Sequence, residues 1–465
     1  MTRRTSTTAD YDLAVVGGGA GGLAAARGGA RRGLRTALIQ DGRVGGDCTF
    51  TGCVPSKTLI EAASQGRDFA EAMSRLHDVV EQIASNESPD VLVREGIEVI
   101  EGRACFVAKR TLSAGGLTIR ARRIILATGS APAVPPISGL TDLDYLTNEN
   151  VFELSTLPAS LAVLGGGAIG CELAQVFSRF GTEVHVFEAA DRLLAREEPE
   201  ASAVVARALA EDGVTLHLGA KVGAFARSAD GRGIWSTVSG KVIETDRLIV
   251  AVGRRPVTEG LDPDAGNVEL DDRGFIRTDG HLRSTAPGVY AVGDVTGRLP
   301  FTHAADEMGR LAVHNAFRRI VRSRFDTTPI PWVTFTDPEV ARVGVSEAEA
   351  AGSGARVAFL PMSGVDRAVM AGRTDGFVKL ITGPRPLLRS VGGGVMLGAT
   401  IVGPRAGEMI HEVAFAMRTK AFTGRLAQTV HAYPSWSTAI RQAAAQFFFE
   451  VDGQTARPAG APHPD

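Results

Sequence analysis

Cys48 and Cys53 lie five positions apart in the stretch 45–57, GGDCTFTGCVPSK. A disulfide needs Cβ atoms roughly 3.5–4.5 Å apart, and four intervening residues can arch through one turn to allow it. Gly52 relieves crowding beside Cys53, and Pro55 suits the first turn of a helix that continues as SKTLIEAA. The N-terminal end of such a helix stabilises a thiolate. After reduction, one thiolate can pass electrons on by exchange while the other faces a flavin. Lys57 shares a helical face with Cys53. It could balance negative charge on a reduced flavin, although an exposed helix lysine is the commoner explanation for such a residue alone. Zinc is the rival use of paired cysteines, but two further ligands at convincing spacing are missing, so no metal is expected. Cys105, in GRACFV, and Cys171, after GGGAIG, are expected to be small buried side chains.

A redox pair needs a frame. The apolar run 11–17, YDLAVVG, leads into Gly17-x-Gly19-x-x-Gly22, a helix-like segment and a second strand at 35–40. This strand–turn–helix–strand order lets a backbone approach a pyrophosphate at a helix N-terminus. The usual acid at the end of the second strand is replaced by Gln40, whose amide can still hydrogen-bond a ribose. The same grammar recurs at 161–165, LAVLG, with Gly165-x-Gly167-x-x-Gly170 and a strand at 183–188. Here the acid, Glu188, is present. A carboxylate there accepts from a free 2′-hydroxyl and repels a 2′-phosphate, which favours NADH over NADPH. Arg192, close in sequence, complicates that preference. A flavin in the first site and a nicotinamide in the second would give a hydride path.

Three more strand ends belong to this frame: 123–130, RIILATGS; 248–256, LIVAVGRRP; and 289–297, VYAVGDVTG, where Asp294 can bind a sugar-like hydroxyl. From residue 329 onward the text reads as a mixed α+β domain, and the closing GQTARPAGAPHPD is expected to be unstructured.

Composition is ordinary for a globular chain of 465 residues, with 44% hydrophobic and 22% charged residues. A formal charge of −2 without a long basic block speaks against nucleic acid as a partner. No signal peptide or membrane-length apolar run is read, so a cytoplasmic protein without a membrane partner is expected. Four cysteines in so long a chain are not a disulfide scaffold.

GGDCTFTGCVPSK, the two glycine signatures, YAVGDVTG and VTFTDPEVARVG occur in an order that resembles the pyridine nucleotide–disulfide oxidoreductases. These are FAD flavoproteins that include dihydrolipoamide dehydrogenase, glutathione reductase and mercuric reductase. The resemblance covers about residues 10–452. It implies an α/β fold with two Rossmann-like domains, the second inserted in the first, and a C-terminal α+β dimerisation domain. The bounds would be 1–157 and 286–328 for FAD, 158–285 for NAD(P), 329–452 for dimerisation and 453–465 for a disordered tail. It further implies that Cys48 is the interchange thiol and Cys53 the charge-transfer thiol. Lys57 would lie near the flavin and pair with Glu172. Asp294 would bind the ribitol, with Ala104, Thr128, Gly129 and Ala304 also at FAD, and Gly253 at the nicotinamide dinucleotide. A homodimer is implied, because each site borrows an acid–base group from its partner.

That borrowed group is altered. The family segment resembles HAHPTxSE, with a histidine base and a glutamate. Here 430–440 reads VHAYPSWSTAI, which puts Tyr433 at the base and Thr438 at the glutamate. His431 matches the upstream histidine. A phenol of pKa about 10 is a poor base, although it can donate a proton or hydrogen bond. A tyrosine here is similar to mercuric reductase, yet the C-terminal cysteine pair of that enzyme is absent. The expected activity is therefore NAD(P)H-dependent reduction, through FAD and Cys48/Cys53, of a disulfide or other small-molecule or small-protein oxidant. A quinone or dye reductase, a flavin oxidase and a mercuric reductase are the alternatives. Tyr433 is expected either at the acceptor or packed beside Trp436 in an interface.

Overall fold

The strand Tyr11–Val16 is buried along its last four residues, as the centre of a parallel sheet requires. In the computed structural model, which describes residues 9–228, 231, 233–318, 322–385 and 390–462, it pairs in parallel with Thr36–Gln40 and with Leu117–Leu126. Ile97–Glu101 extends one side of this sheet, and the antiparallel pieces Thr111–Ala114 and Cys105–Ala108 extend the other. The chain leaves the sheet and later returns, where Val289–Ala291 pairs with Leu117–Leu126.

The excursion builds a second parallel sheet, in the order Thr215–His217, Glu183–Phe187, Ser160–Leu164, Arg247–Val250. A three-stranded antiparallel meander covers one face through Leu164, Phe187, Val222 and Phe225. The third unit is a six-stranded antiparallel sheet. Helices Ala406–Arg418 and Thr438–Ala445 pack on it through Ile410, Val413, Ile440 and Ala443.

Glycine makes the tightest helix crossing. Helix Ala20–Ala30 lies against helix Thr302–Phe317, and a Cβ on Gly309 would sit 2.2 Å from the Gly21 carbonyl oxygen.

Three expectations need correction. The strand expected at 289–297 stops at Ala291, because Gly293 turns left-handed (φ 72°) and starts the 3-10 turn Gly293–Thr296 that carries Asp294. The strand end read at 248–256 falls after Val250: Arg247–Val250 stops before Gly253, whose φ is 137°, and the short strand Arg254–Pro256 follows. Cys105 is half-buried rather than buried, being the first residue of a strand at the sheet's margin. The tail is ordered as far as residue 462, and its last three residues lie outside the described ones. Arg457–Pro458 joins the edge strand Arg356–Pro361, held by Arg457 on Glu347.

Candidate functional site

The first glycine turn is shaped by clashes that only glycine avoids. A Cβ on Gly17 (φ 100°) would meet the Ala127 oxygen at 2.3 Å, and one on Gly22 would meet the Gly17 oxygen at 1.8 Å. Gly19 differs, since its nearest neighbour would be 3.8 Å away. It leaves open the mouth of the turn in front of helix Ala20–Ala30, where backbone N–H groups and the helix dipole favour a pyrophosphate. Gln40 fastens the turn: its Oε1 accepts from the Gly18 N–H at 2.6 Å. Thr128 Oγ1 is buried without a hydrogen-bond partner among the described residues, and Gly129 beside it has open space above a left-handed backbone. Ala104 and Ala304 are buried. An orphaned hydroxyl next to an open glycine cradle fits a bound dinucleotide.

The second turn repeats these constraints. Gly165 is confined by Ala251 and Gly170 by Gly165, whereas a Cβ on Gly167 or Gly253 would meet nothing within 4 Å. The Glu188 carboxylate does what Gln40 does in the first site. It accepts from Gly166 N–H and Ala190 N–H, both at 2.7 Å. Arg192 turns away, donating to the Ala195 carbonyl at 2.6 Å.

Between the two turns sit the cysteines. Cys48 lies in a short helix, Gly46–Phe50, rather than a simple arch, and Cys53 is the first residue of helix Cys53–Ser64. Gly52 joins them where a Cβ would be 2.8 Å from the Asp47 oxygen. Both cysteines are free thiols hydrogen-bonded to each other. The Cys48 hydrogen bond, then the Thr302 hydroxyl and the charge of Lys57, lower the Cys53 pKa to about 6 against the opposing effect of burial. Cys48 moves upward, because it keeps the shared proton and is buried. Thr302 Oγ1 is 3.6 Å from the Cys53 sulfur. Cys171, by contrast, is fully buried, and burial raises its pKa.

Lys57 Nζ donates to Glu172 Oε2 at 2.7 Å and stands 4.6 Å over the Phe335 ring. The other Glu172 oxygen accepts from Phe335 N–H at 2.8 Å. One buried carboxylate thus ties the redox helix to the start of the third unit.

Arg254 was not singled out by the sequence, although it follows Gly253. It donates to Ser130 Oγ (2.6 Å) and to the Ser130 carbonyl (2.7 Å), pairs with Asp47, and lies 3.7 Å from Asp294. Ser130 Oγ donates to the same Asp294 carboxylate at 2.6 Å. One guanidinium therefore clamps Asp47, the residue before Cys48, to Ser130 and Asp294 of the first unit. Thr302 and Phe335 were likewise missed, since their contacts are long-range and no local pattern marks them.

Tyr433 stands apart from this cluster in the single chain. It is 69% exposed, and its hydroxyl donates to Asp366 at 3.0 Å, which raises its pKa. It does not stack on Trp436, which lies under Arg367. His431 is held by Glu412 at 3.0 Å.

The residue pattern of pyridine nucleotide–disulphide oxidoreductases matches residues 11–309, and that of their dimerisation domain matches 330–444. The chain belongs to this family. A mercuric reductase of Streptomyces lividans is 35% identical over 95% of this chain and 97% of its own length. A dihydrolipoyl dehydrogenase of Haloferax volcanii is 34% identical over 93% and 95%. Among solved structures, the HOCl-induced flavoprotein disulfide reductase RclA from Escherichia coli superposes with a TM-score of 0.86 at 30% identity, covering 94% of this chain and 99% of that one. The same protein has been solved as a Cu(II) complex. The paired cysteines and paired nucleotide turns thus carry the disulfide reductase chemistry of this oxidoreductase family, linked to FAD and NAD(P)H.

Proposed function

We propose that Cys53 faces the flavin while Cys48 meets the acceptor, and that a second copy of the chain supplies Tyr433. The observation that carries this reading is the asymmetry of the two thiols, with the lowered one at a helix N-terminus beside Lys57. FAD at the first turn supplies two-electron transfer between nicotinamide and disulfide. The Cys48/Cys53 disulfide takes up two electrons and one proton, giving a Cys53 thiolate and a Cys48 thiol. Cys48 hands its proton to the Cys53 thiolate and attacks a disulfide acceptor, and the thiolate released takes that proton from Cys53 by way of the Tyr433 hydroxyl. Cys53 attacks the mixed disulfide, restores the Cys48/Cys53 bond and releases the second. Tyr433, kept protonated by Asp366, donates a proton to a leaving thiolate.

NADH is the proposed donor, because a carboxylate, Glu188, stands at the second glycine turn and Arg192 is turned to a backbone carbonyl. Among the described residues no helix is long and apolar enough to cross a membrane, and the proposed workplace is the cytoplasm, where paired cysteines serve chemistry rather than cross-linking. Mercury reduction is a weaker reading, because no cysteine follows Cys171 and capture of the metal would fall to Cys48 and Cys53.

The test is an anaerobic titration with NADH and NADPH, followed by a panel of disulfides, quinones, Hg(II) and Cu(II). Flavin bleaching with a long-wavelength band and two new thiols is expected. Bleaching without either would remove the dithiol relay. A quinone or dye reductase is the second reading, favoured by the phenol and Thr438 where the family has a base and its carboxylate. Full quinone turnover by a Cys48→Ser, Cys53→Ser double variant would establish it.

A further inference from the structure

Lys379 is 1% exposed, yet it is charged. Its ammonium contacts three carboxylates: Glu200 at 2.7 Å, Glu347 at 3.0 Å and Glu198 at 3.2 Å. Glu198 and Glu200 end the segment that begins at the ribose-corner acid Glu188. Glu347 and Lys379 belong to the third unit. Glu198 also accepts from the Glu347 N–H at 2.8 Å. The chain of charges continues to the C-terminal strand, where the Arg457 guanidinium forks onto Glu347, with one arm at 3.0 Å, and Gly460 N–H adds a contact at 3.2 Å.

The segment 188–200 is held at further points. Leu194, left-handed at φ 46°, donates its N–H to the Gly166 carbonyl at 2.8 Å, inside the second glycine turn. Arg342 donates to the Arg196 carbonyl at 2.6 Å, and the Trp332 indole donates to Glu197 at 2.7 Å. One side of the segment thus grips the nucleotide turn, and the other is nailed to the third unit. A buried ion cluster is a poor source of net stability, because desolvation offsets the Coulomb gain, but it fixes geometry sharply. Apolar side chains would serve if cohesion alone were needed.

We propose that Arg457, Glu347, Lys379 and Glu198 are positioning residues for the nicotinamide dinucleotide, setting through segment 188–200 where Glu188 and Arg192 stand. The C-terminal strand thereby reaches the ribose corner without touching it. This rests on the reading of the second glycine turn as the nicotinamide site. The relay is electrostatic and direct: Arg457 orients Glu347, Glu347 and Lys379 orient Glu198, and Glu198 anchors the segment end.

The test uses the full-length holoenzyme carrying Arg457→Ala, Arg457→Lys or Glu198→Gln, with NADH and NADPH varied against a saturating dye acceptor. Flavin content and melting temperature are measured alongside. Arg457→Ala and Glu198→Gln are expected to raise KM for NADH about fivefold with kcat within about twofold. The NADH-to-NADPH ratio of kcat/KM should fall, and Arg457→Lys should recover part of both losses. A lower melting temperature with KM and the donor ratio unchanged would overturn the proposal, leaving the cluster a structural tie. If Arg457→Ala does not fold, Glu198→Gln and Arg457→Lys decide by the same two readouts. Wild-type protein whose flavin is reduced by neither nicotinamide would instead remove the site reading beneath it.

Discussion

The redox pair is asymmetric: its neighbours push Cys53 toward the thiolate and leave the proton with Cys48. Cys53 sits near pKa 6, against an ordinary thiol value of about 8.5. Its thiolate is therefore half formed at that point, complete about two pH units above it and lost as pH falls through it. In the two-electron-reduced enzyme, the long-wavelength absorbance should titrate with a midpoint near 6. Lys57→Met removes a nearby positive charge and should move that midpoint upward, whereas an unmoved midpoint would take the charge of Lys57 out of the account. Tyr433→Phe should slow reoxidation by a disulfide at least about tenfold and leave flavin reduction by NADH unchanged, as rapid mixing would reveal. Cys48, Cys53 and Lys57 were legible because type and spacing carry their chemistry. Arg254, Thr302 and Asp366 were not, because their meaning comes from partners far away in sequence: Arg254 reaches Asp47 across 207 positions.

Among the elements, the two nucleotide turns were readable almost to the residue, for a steric reason. Gly17, Gly22, Gly165 and Gly170 stand where a methyl group would strike backbone oxygen within 2.5 Å. Other strands blurred where a glycine broke them, as Gly253 and Gly293 do. The helix crossing at Gly21 and Gly309 left no periodic signal, yet it makes a strong prediction. Gly309→Ala should lower the melting temperature and deplete bound flavin, because overpacking costs about 1–3 kcal/mol and pushes helix Ala20–Ala30 away from its turn. Normal flavin content and melting in this variant would show that the helices can part without cost.

Over the whole molecule, apolar side chains gather on the third unit's surface: Val430 is 92% exposed, Phe415 70% and Tyr433 69%. Exposed apolar side chains of this kind suit an interface where they lie together, in keeping with the dimerisation domain matched at 330–444. Phe415→Asp should shift the protein toward monomer in sedimentation. With Tyr433 lent across the interface, as proposed above, that variant should lose disulfide turnover while still bleaching with NADH. A monomeric variant with full disulfide turnover would mean that each chain completes its own site. The fate of the tail could not be read, since GQTARPAGAPHPD carries little apolar patterning. What orders it is Glu347, 110 positions before Arg457.

The Arg254 clamp also has a mechanical side. Its guanidinium belongs to the donor half of the molecule, while its partners Ser130, Asp294 and Asp47 belong to the half that holds the thiols. A hinge between those halves would have to tear several charge-assisted bonds on every cycle. The clamp therefore predicts that electrons cross a stationary frame while only the donor and the acceptor travel. Thickening the solvent should then slow the encounter steps, seen in kcat/KM, while flavin reduction at saturating NADH keeps its rate.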